Sequence, residues 1–281
     1  MMKKILFTDL DGTLLREDKT VSFRNRQAIE ALLEAGNYLV IATGRPSKSG
    51  LDVVRSLGLN RPGCYLIAYN GGAMYDCAGE CLLEQRTLPI SCVEYLFSEA
   101  RRYGLHIQTY QGEALLTERH TRELDFYVEH STMDFRILPD VPKALTREPH
   151  KVLLASLNAE ERLQEFQREH LCWERDRCCS FFSGREYLEY CPRGVDKGYG
   201  IRRLAEILHV PLEQTWAAGD ERNDVPMLLA AGTGVAMRNG HPDAKEAAGY
   251  VTEHDNDHDA IAELIERFGL NRKSEKNHLP A

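Results

Sequence analysis

Residues 5–14 read Ile5-Leu6-Phe7-Thr8-Asp9-Leu10-Asp11-Gly12-Thr13-Leu14, and the reading of that stretch decides the fold. Ile5 to Phe7 is an apolar run with a β-branched member, enough for a short buried strand. Two carboxylates follow, two residues apart, as the strand runs out into Gly12. Positions i and i+2 of a strand point the same way, so Asp9 and Asp11 start on one side. Gly12 permits a sharp departure after them. Two close anions at a strand end repel unless something positive lies between them. A hard dication with oxygen ligands meets that need, and Mg²⁺ keeps waters while using one or two carboxylates. Taken alone, the pair reads equally well as an ordinary Asp-Gly turn, so the rest of the chain has to decide.

Outward from that strand, Ser22 is placed to cap a helix that carries Ala28, Ile29, Leu32 and Leu33 and stops at Gly36. Tyr38 to Ala42 is a second apolar strand, emptying into Thr43-Gly44-Arg45-Pro46. A helix pattern runs from Ser47 to Leu57, and Cys64 to Tyr69 is a third strand. Strand, helix, strand, helix, strand is the signature of a parallel sheet with right-handed crossovers. In such sheets ligands bind beyond the carboxyl ends of the strands. Asp9, Thr43 and Asn70 each stand at such an end.

From Gly71 the rhythm changes. Ala73 to Tyr75 and Cys81 to Leu83 read as a hairpin around a polar turn. Helical patterns at about 91–103, 118–130 and 159–169 then alternate with strand-like runs at Leu105 to Tyr110, Val152 to Leu157 and Cys178 to Phe182. Residues 84–186 therefore read as an inserted α+β module, flanked by a core of 1–83 and 187–281. Its second hinge is expected near Arg185-Glu186. Tyr187 to Cys191 is read as a strand rejoining the core. A helix at about 197–208, strands at Thr215 to Ala218 and Gly234 to Met237, and helices at Val225 to Ala231 and about 257–268 complete it. The polar stretch 271–281 is expected to fray.

The 281 residues are 43% hydrophobic and 28% charged, which suits a soluble protein with a substantial core. With 35 basic against 43 acidic side chains, the formal net charge is −8. That argues against nucleic acid as a partner, which would need a basic face, yet allows one small anion at a local positive site. No apolar run approaches the roughly 20 residues needed to span a bilayer. Asp9 and Asp11 interrupt any signal-peptide core. The eight cysteines form no Cys-x-x-Cys pair, so reduced thiols and a cytosolic setting are expected.

Four features fall at loop positions of the α/β core. Asp9 and Asp11 follow the first strand, and Thr43-Gly44-Arg45 follows the second. Lys197 opens a helix in Arg193-Gly194-Val195-Asp196-Lys197-Gly198, and Gly219-Asp220-Glu221-Arg222-Asn223-Asp224 follows a later strand. Together and in this order they resemble the four motifs of the haloacid dehalogenase-like phosphohydrolases, over nearly the whole chain. The module inserted after the third strand resembles the large α+β cap of the Cof-type sugar phosphatases, subfamily IIB of that superfamily. The resemblance implies a Rossmann-like core split in sequence and a Mg²⁺-dependent phosphatase acting on small phosphorylated metabolites, sugar phosphates above all.

It further implies Asp9 as nucleophile, forming an aspartyl-phosphate, and Asp11 as general acid and base. The metal ligands would be the Asp9 carboxylate, the Asp11 backbone carbonyl and the Asp220 carboxylate, with Asp224 supporting through a metal-bound water. Lys197, Thr43, Gly44 and Asn223 would hold the phosphate. Arg45 reads evenly as a ligand contact or as the partner of a neighbouring acid. Asn70-Gly71-Gly72 reads as a tight turn beside the pocket. Arg119, His120 and Arg122 read as a solvated face, with closure over a second anionic group as the lesser alternative. A phosphomutase is the enzymatic alternative. A non-catalytic phospho-ligand binder is the remote one, and it predicts a missing nucleophile, lysine or metal acid; none is missing.

Overall fold

The structure is a computed structural model that describes residues 3–131, 133–157 and 159–270. The tail at 271–281 lies outside the described residues. In chain order the first module contains β1 (Ile5–Thr8), α1 (Phe23–Glu34), β2 (Tyr38–Ala42), α2 (Ser47–Ser56), β3 (Cys64–Ala68), β4 (Ala73–Asp76) and β5 (Cys81–Gln85). The second contains α3 (Ile90–Tyr103), β6 (His106–Gln111), β7 (Ala114–Thr117), α4 (Arg122–Ser131), β8 (Asp134–Ile137), α5 (Val141–Ala144), β9 (Val152–Ala155), α6 (Glu160–Glu174), β10 (Cys178–Gly184) and β11 (Tyr187–Pro192). The chain then returns through α7 (Lys197–Ile207), β12 (Thr215–Gly219), α8 (Val225–Ala230), β13 (Thr233–Ala236), α9 (Pro242–Ala247), β14 (Tyr250–Val251) and α10 (Ala260–Arg267).

The first sheet runs β14-β13-β12-β1-β2-β3-β4-β5. Its first five pairings are parallel, and β4 and β5 close the edge as an antiparallel hairpin. The period of two in β1 and β2 sorts their side chains onto two faces. Leu6, Leu39 and Ile41 pack with α1, α2 and α10 on one face, through Ile29, Leu32, Val54, Ile261 and Leu264. Ile5, Phe7, Val40 and Ala42 meet Ile201, Leu204 and Met227 of α7 and α8 on the other. Both faces are covered, so these strands read as unbroken apolar runs. β1 lies at the centre between β12 and β2, and this puts the carboxyl ends that carry Asp9, Thr43 and Asp220 side by side.

The second sheet runs β10-β11-β9-β6-β7-β8, with α4 on one face and α3 and α6 on the other. Val93, Leu96, Phe97, Leu163 and Phe166 of α3 and α6 pack there on Ile107, Leu154 and Leu188. The opposite face, with Tyr110, Leu153 and Tyr127 of α4, continues into the first module's core.

Three expectations are corrected. Tyr187 to Cys191 does not rejoin the first sheet. As β11 it pairs antiparallel with β10 and β9 in the second. Arg185-Glu186 is consequently the tip of the β10–β11 hairpin and not a hinge; the chain crosses back at 193–196, just before α7. At the other end, β5 reaches Gln85, two residues beyond the expected boundary at 83. The sequence reading also missed β7 and β8, short strands of four residues each.

The expected cap of α1 is present: the Ser22 hydroxyl oxygen accepts from Asn25 N–H at 3.0 Å, in a buried position. Ser22→Ala should lower unfolding stability by about 1 kcal/mol, read as a reduced urea midpoint with unchanged m-value.

Candidate functional site

Asp9 immediately follows β1, and its N–H continues the ladder to the Ala218 carbonyl of β12 at 2.9 Å. Its side chain therefore enters the site from a fixed central strand. Gly12 then turns the chain at φ +76°, and a Cβ there would fall 2.4 Å from Asp220 Oδ2. Only glycine tolerates both the backbone and the approach. Lys197 is the first residue of α7, whose N-terminus is capped by Asp196 accepting from Tyr199 N–H at 2.6 Å. The next residue, Gly198, lets α7 approach α8 so closely that a Cβ would stand 2.4 Å from the Pro226 carbonyl oxygen. Asp220 follows β12. Its loop is tied by Asp224, whose Oδ2 accepts from the Asp220 and Glu221 amides, both at 2.9 Å.

These pieces converge. Lys197 Nζ donates 2.5 Å to Asp9 Oδ1 and 2.5 Å to Asp224 Oδ1. Lys197 and Asp224 are 1% and 0% exposed, and Asp9 is buried beside them. Carboxylate oxygens of Asp9, Asp220 and Asp224 all lie within 4.8 Å of one another. One ammonium thus faces three carboxylates. Burial pushes the Asp9 carboxyl up to about 7 against the opposing pull of Lys197, with the Asp224 charge adding to the rise. Burial and the Asp9 and Asp224 charges push Asp220 up to about 8. The Thr13 hydroxyl donates to Asp220 Oδ1 at 2.6 Å and offsets part of this. Such a cluster could hold a metal ion. The donors are all hard oxygens, and a cation would relieve the repulsion that raises both acids.

A cavity of about 390 Å³ opens over this floor. Asp9, Asp11, Thr43, Gly44, Arg45 and Asn223 line it from the first module, and Lys151, Ser183, Glu186 and Glu189 from the second. Asp11 is gripped by the Arg45 fork, Nε to Oδ2 and Nη2 to Oδ1, both at 2.7 Å, and by Lys19 Nζ at 2.9 Å. Burial alone would raise the Asp11 carboxyl, but hydrogen bonds and charge from Arg45, then from Lys19, hold it below the ordinary value. Arg45 therefore pairs with a neighbouring acid, one of the two readings of the sequence, from a position that also lines the cavity.

All nine residues singled out in the sequence come together here. Asp9 lines the cavity with Asp11, Thr43, Gly44, Arg45 and Asn223, and Lys197, Asp220 and Asp224 cluster on Asp9 beneath it. Arg119, His120 and Arg122 are not among the cavity's lining residues, and His120 pairs instead with Asp125 at 2.8 Å. The sequence reading missed Lys19, Lys151 and Glu189. Asn70 lies in the expected turn beside the pocket; what the sequence did not show is that its side chain is fully buried between Glu189 and Asn223. Two signals were there: a glutamate inside the apolar Tyr187–Cys191 run, and a lysine heading the apolar Val152 run.

This arrangement gathers a buried ammonium and a cluster of acids at the carboxyl edge of a doubly wound sheet, and known proteins resemble it throughout. Residues 6–265 match the model of the haloacid dehalogenase-like hydrolases. The HMP-PP phosphatase of Yersinia pseudotuberculosis is 30% identical, over 87% of each chain. A haloacid dehalogenase-like hydrolase from Bacteroides thetaiotaomicron superposes with a TM-score of 0.84 at 32% identity, over 95% of this chain and 99% of that one. The subclass IIB sugar phosphatase BT4131 has the same fold, with a TM-score of 0.80 at 24% identity, over 95% and 100%. The chain belongs to the haloacid dehalogenase-like hydrolase family. Within it, this protein is a phosphatase.

The raised acids set a pH signature for the metal-free protein. Asp9 and Asp220 hold protons in the folded state that the unfolded chain has released, so stability falls as pH rises. The contribution is complete below about 4 and lost by about 8. In EDTA, Tm should drop across this window, and Asp220→Asn should flatten the drop. An EDTA Tm that rose between pH 5 and 8 would contradict the assigned cluster.

Proposed function

We propose that the protein is a Mg²⁺-dependent hydrolase of small, hydroxyl-rich phosphate monoesters, sugar phosphates foremost, working through an aspartyl-phosphate on Asp9. The observation that carries this reading is a buried carboxylate touching a buried ammonium at the floor of a cavity with a polar, mainly uncharged-to-acidic roof. The eight unpaired thiols suit a reducing compartment, and we place the protein in the cytosol.

The floor suits Mg²⁺. With oxygens at about 2.1 Å, opposite ligands of an octahedral ion stand about 4.2 Å apart, and the acid trio already spans little more. Asp9 and Asp220 would hold it together with the Asp11 carbonyl. Asp224 has both oxygens engaged by Lys197 and two backbone amides, so its part is to fix the loop and reach the ion through water. Bound there, the ion would offset the repulsion between Asp9 and the incoming phosphate.

The chain's own residues then divide the work. Lys197, the Thr43 hydroxyl, and the Gly44 and Asn223 amides hold the phosphoryl oxygens and balance their charge. An Asp9 oxygen attacks phosphorus, the ester P–O bond breaks, and the Asp11 carboxyl gives its proton to the leaving oxygen. Asp11 then takes a proton from water as that water attacks the same phosphorus, releasing orthophosphate and free Asp9. With Arg45 and Lys19 on it, Asp11 is held as the anion. An arriving phosphate competes for both cations and leaves Asp11 freer to be protonated.

The second module, which we take to run from Arg86 to Pro192, supplies the roof. Ser183, Glu186 and Glu189 offer oxygens to hydroxyl groups, and Phe126, Tyr127 and Tyr187 offer flat apolar surface. Among the described residues, the one cation lining the roof, Lys151, is already paired with Glu189. A second phosphate would meet the Glu186 carboxylate there with no unpaired cation beside it, which favours a neutral polyol as the leaving group.

A screen of phosphorylated sugars with Mg²⁺ is the direct test. Wild-type protein should release orthophosphate from a monophosphate without any bisphosphate activator. Asp9→Asn should keep the fold and lose at least about 10³-fold in kcat. Isomerised sugar phosphate as the main product would make the enzyme a phosphomutase, and an active Asp9→Asn would remove the nucleophile.

A further inference from the structure

We propose that Lys151, Glu189 and Asn70 form a latch that makes phosphate binding in the first module conditional on closure of the second. The proposal rests on the phosphate site described above and adds a device that couples it to the cap.

Lys151 directly precedes β9, and Glu189 lies in the neighbouring β11. Their charged ends meet at 2.8 Å, and both residues are buried, at 1% and 3% exposure. So deeply buried an ion pair adds little net stability, because desolvating both charges offsets their attraction. What each partner touches across the module boundary gives a better reason for it. Lys151 Nζ donates 2.8 Å to the Gly44 carbonyl, in the loop after β2. Glu189 Oε2 accepts 2.8 Å from Asn70 Nδ2. Asn70 Oδ1 in turn accepts 3.1 Å from Asn223 Nδ2, and the Asn70 N–H donates 3.0 Å to the Thr43 carbonyl. One chain of bonds therefore runs from the second sheet to Thr43, Gly44 and Asn223, the groups placed around the phosphate.

Two further observations single out this chain. The Ser183 hydroxyl donates 2.6 Å to Glu189 Oε1, so the acid is oriented from within its own module before it meets Asn70. On the other side, Tyr69 and Asn70 are consecutive non-glycine residues in the left-handed region, at φ +52° and +55°. Backbone of that kind persists only where its surroundings over-determine it. With the modules apart, the Gly44 carbonyl loses Lys151 and Asn70 Nδ2 loses Glu189 together, and the Asn70 turn loses the bond that ties its side chain to the second module. Closure thus sets the phosphate loops. By linkage, phosphate binding must favour closure to the same degree.

The test uses the full chain with Mg²⁺ and orthophosphate, a probe common to every phosphate ester. Lys151→Met combined with Glu189→Gln removes both charges at once and strands neither. In wild type, orthophosphate with Mg²⁺ should reduce the radius of gyration seen by small-angle scattering. In the double variant that contraction should vanish and orthophosphate affinity, by calorimetry, should fall about 10- to 100-fold. Its Tm in phosphate-free buffer should stay within a few degrees of wild type. Asn70→Gly keeps the left-handed backbone without the amide, should show the same uncoupling, and decides the question if the double variant does not fold. Affinity within about twofold of wild type, with only Tm lowered, would mean a structural pair and overturn the latch. Wild-type protein that bound no orthophosphate would instead overturn the phosphate site itself.

Discussion

The whole site depends on one ammonium among three carboxylates. Lys197 bonds Asp9 and Asp224 at once, with Asp220 close by, in a place almost closed to water. Three acids sharing one cation at low dielectric form a poor stabilising unit on their own. The arrangement survives because elements that are stable for other reasons impose it. Asp9 is fixed by β1 at the centre of an eight-stranded sheet, Lys197 by the capped start of α7, and Asp220 and Asp224 by a loop that closes on its own amides. The core's stability is spent on holding these acids together, and the repulsion among their charged forms is what a bound cation can relieve.

Positioning by the sheet explains how much of the site was legible. Apolar runs of four or five residues ending in Asp9, Thr43 and Gly219 are strands by any local rule, and parallel strands bring their carboxyl ends to one edge. The glycines carried similar information, since Gly12 and Gly198 stand where a Cβ has no room. The second module was read less well because its pairing is not local. Tyr187–Pro192 is apolar enough for either sheet. What assigns it is the two-residue connection Arg185-Glu186, which fits a β-hairpin and not a crossover. β8 escaped notice because all four of its residues are exposed at the sheet's edge, so it has no buried face to leave a pattern.

Residues that join the modules were the hardest to see. Lys151, Glu189 and Asn70 each look ordinary in their own segment, and their meaning arises only where two folding units meet. A buried charge inside an apolar strand is nonetheless a signal that composition can carry. Glu189 breaks the run Tyr187-Leu188-Glu189-Tyr190-Cys191, and a carboxylate there must find a partner or lose its charge. That partner had to come from elsewhere in the fold, so the anomaly in β11 was already an argument for a contact beyond its own hairpin.

The distribution of charge around the cavity settles how a chain with a net charge of −8 can accept an anion. The positive groups are few and all local: Lys197 at the floor, Arg45 and Lys19 on the rim, Lys151 under the roof. Each is bonded to a carboxylate in the absence of ligand, so none is a free attractive patch at the surface. An entering phosphate must exchange partners with Asp9 or Asp11 to reach them. That exchange is a filter, because a dianionic phosphoryl group can replace a carboxylate on Lys197 and Arg45 where a neutral or weakly charged molecule cannot. It also places the competition at Asp9 and Asp11, the two acids that the proposed reaction needs released. In the proposed reaction, binding and activation are therefore the same event, whereas a surface of positive charge would capture phosphate without either consequence.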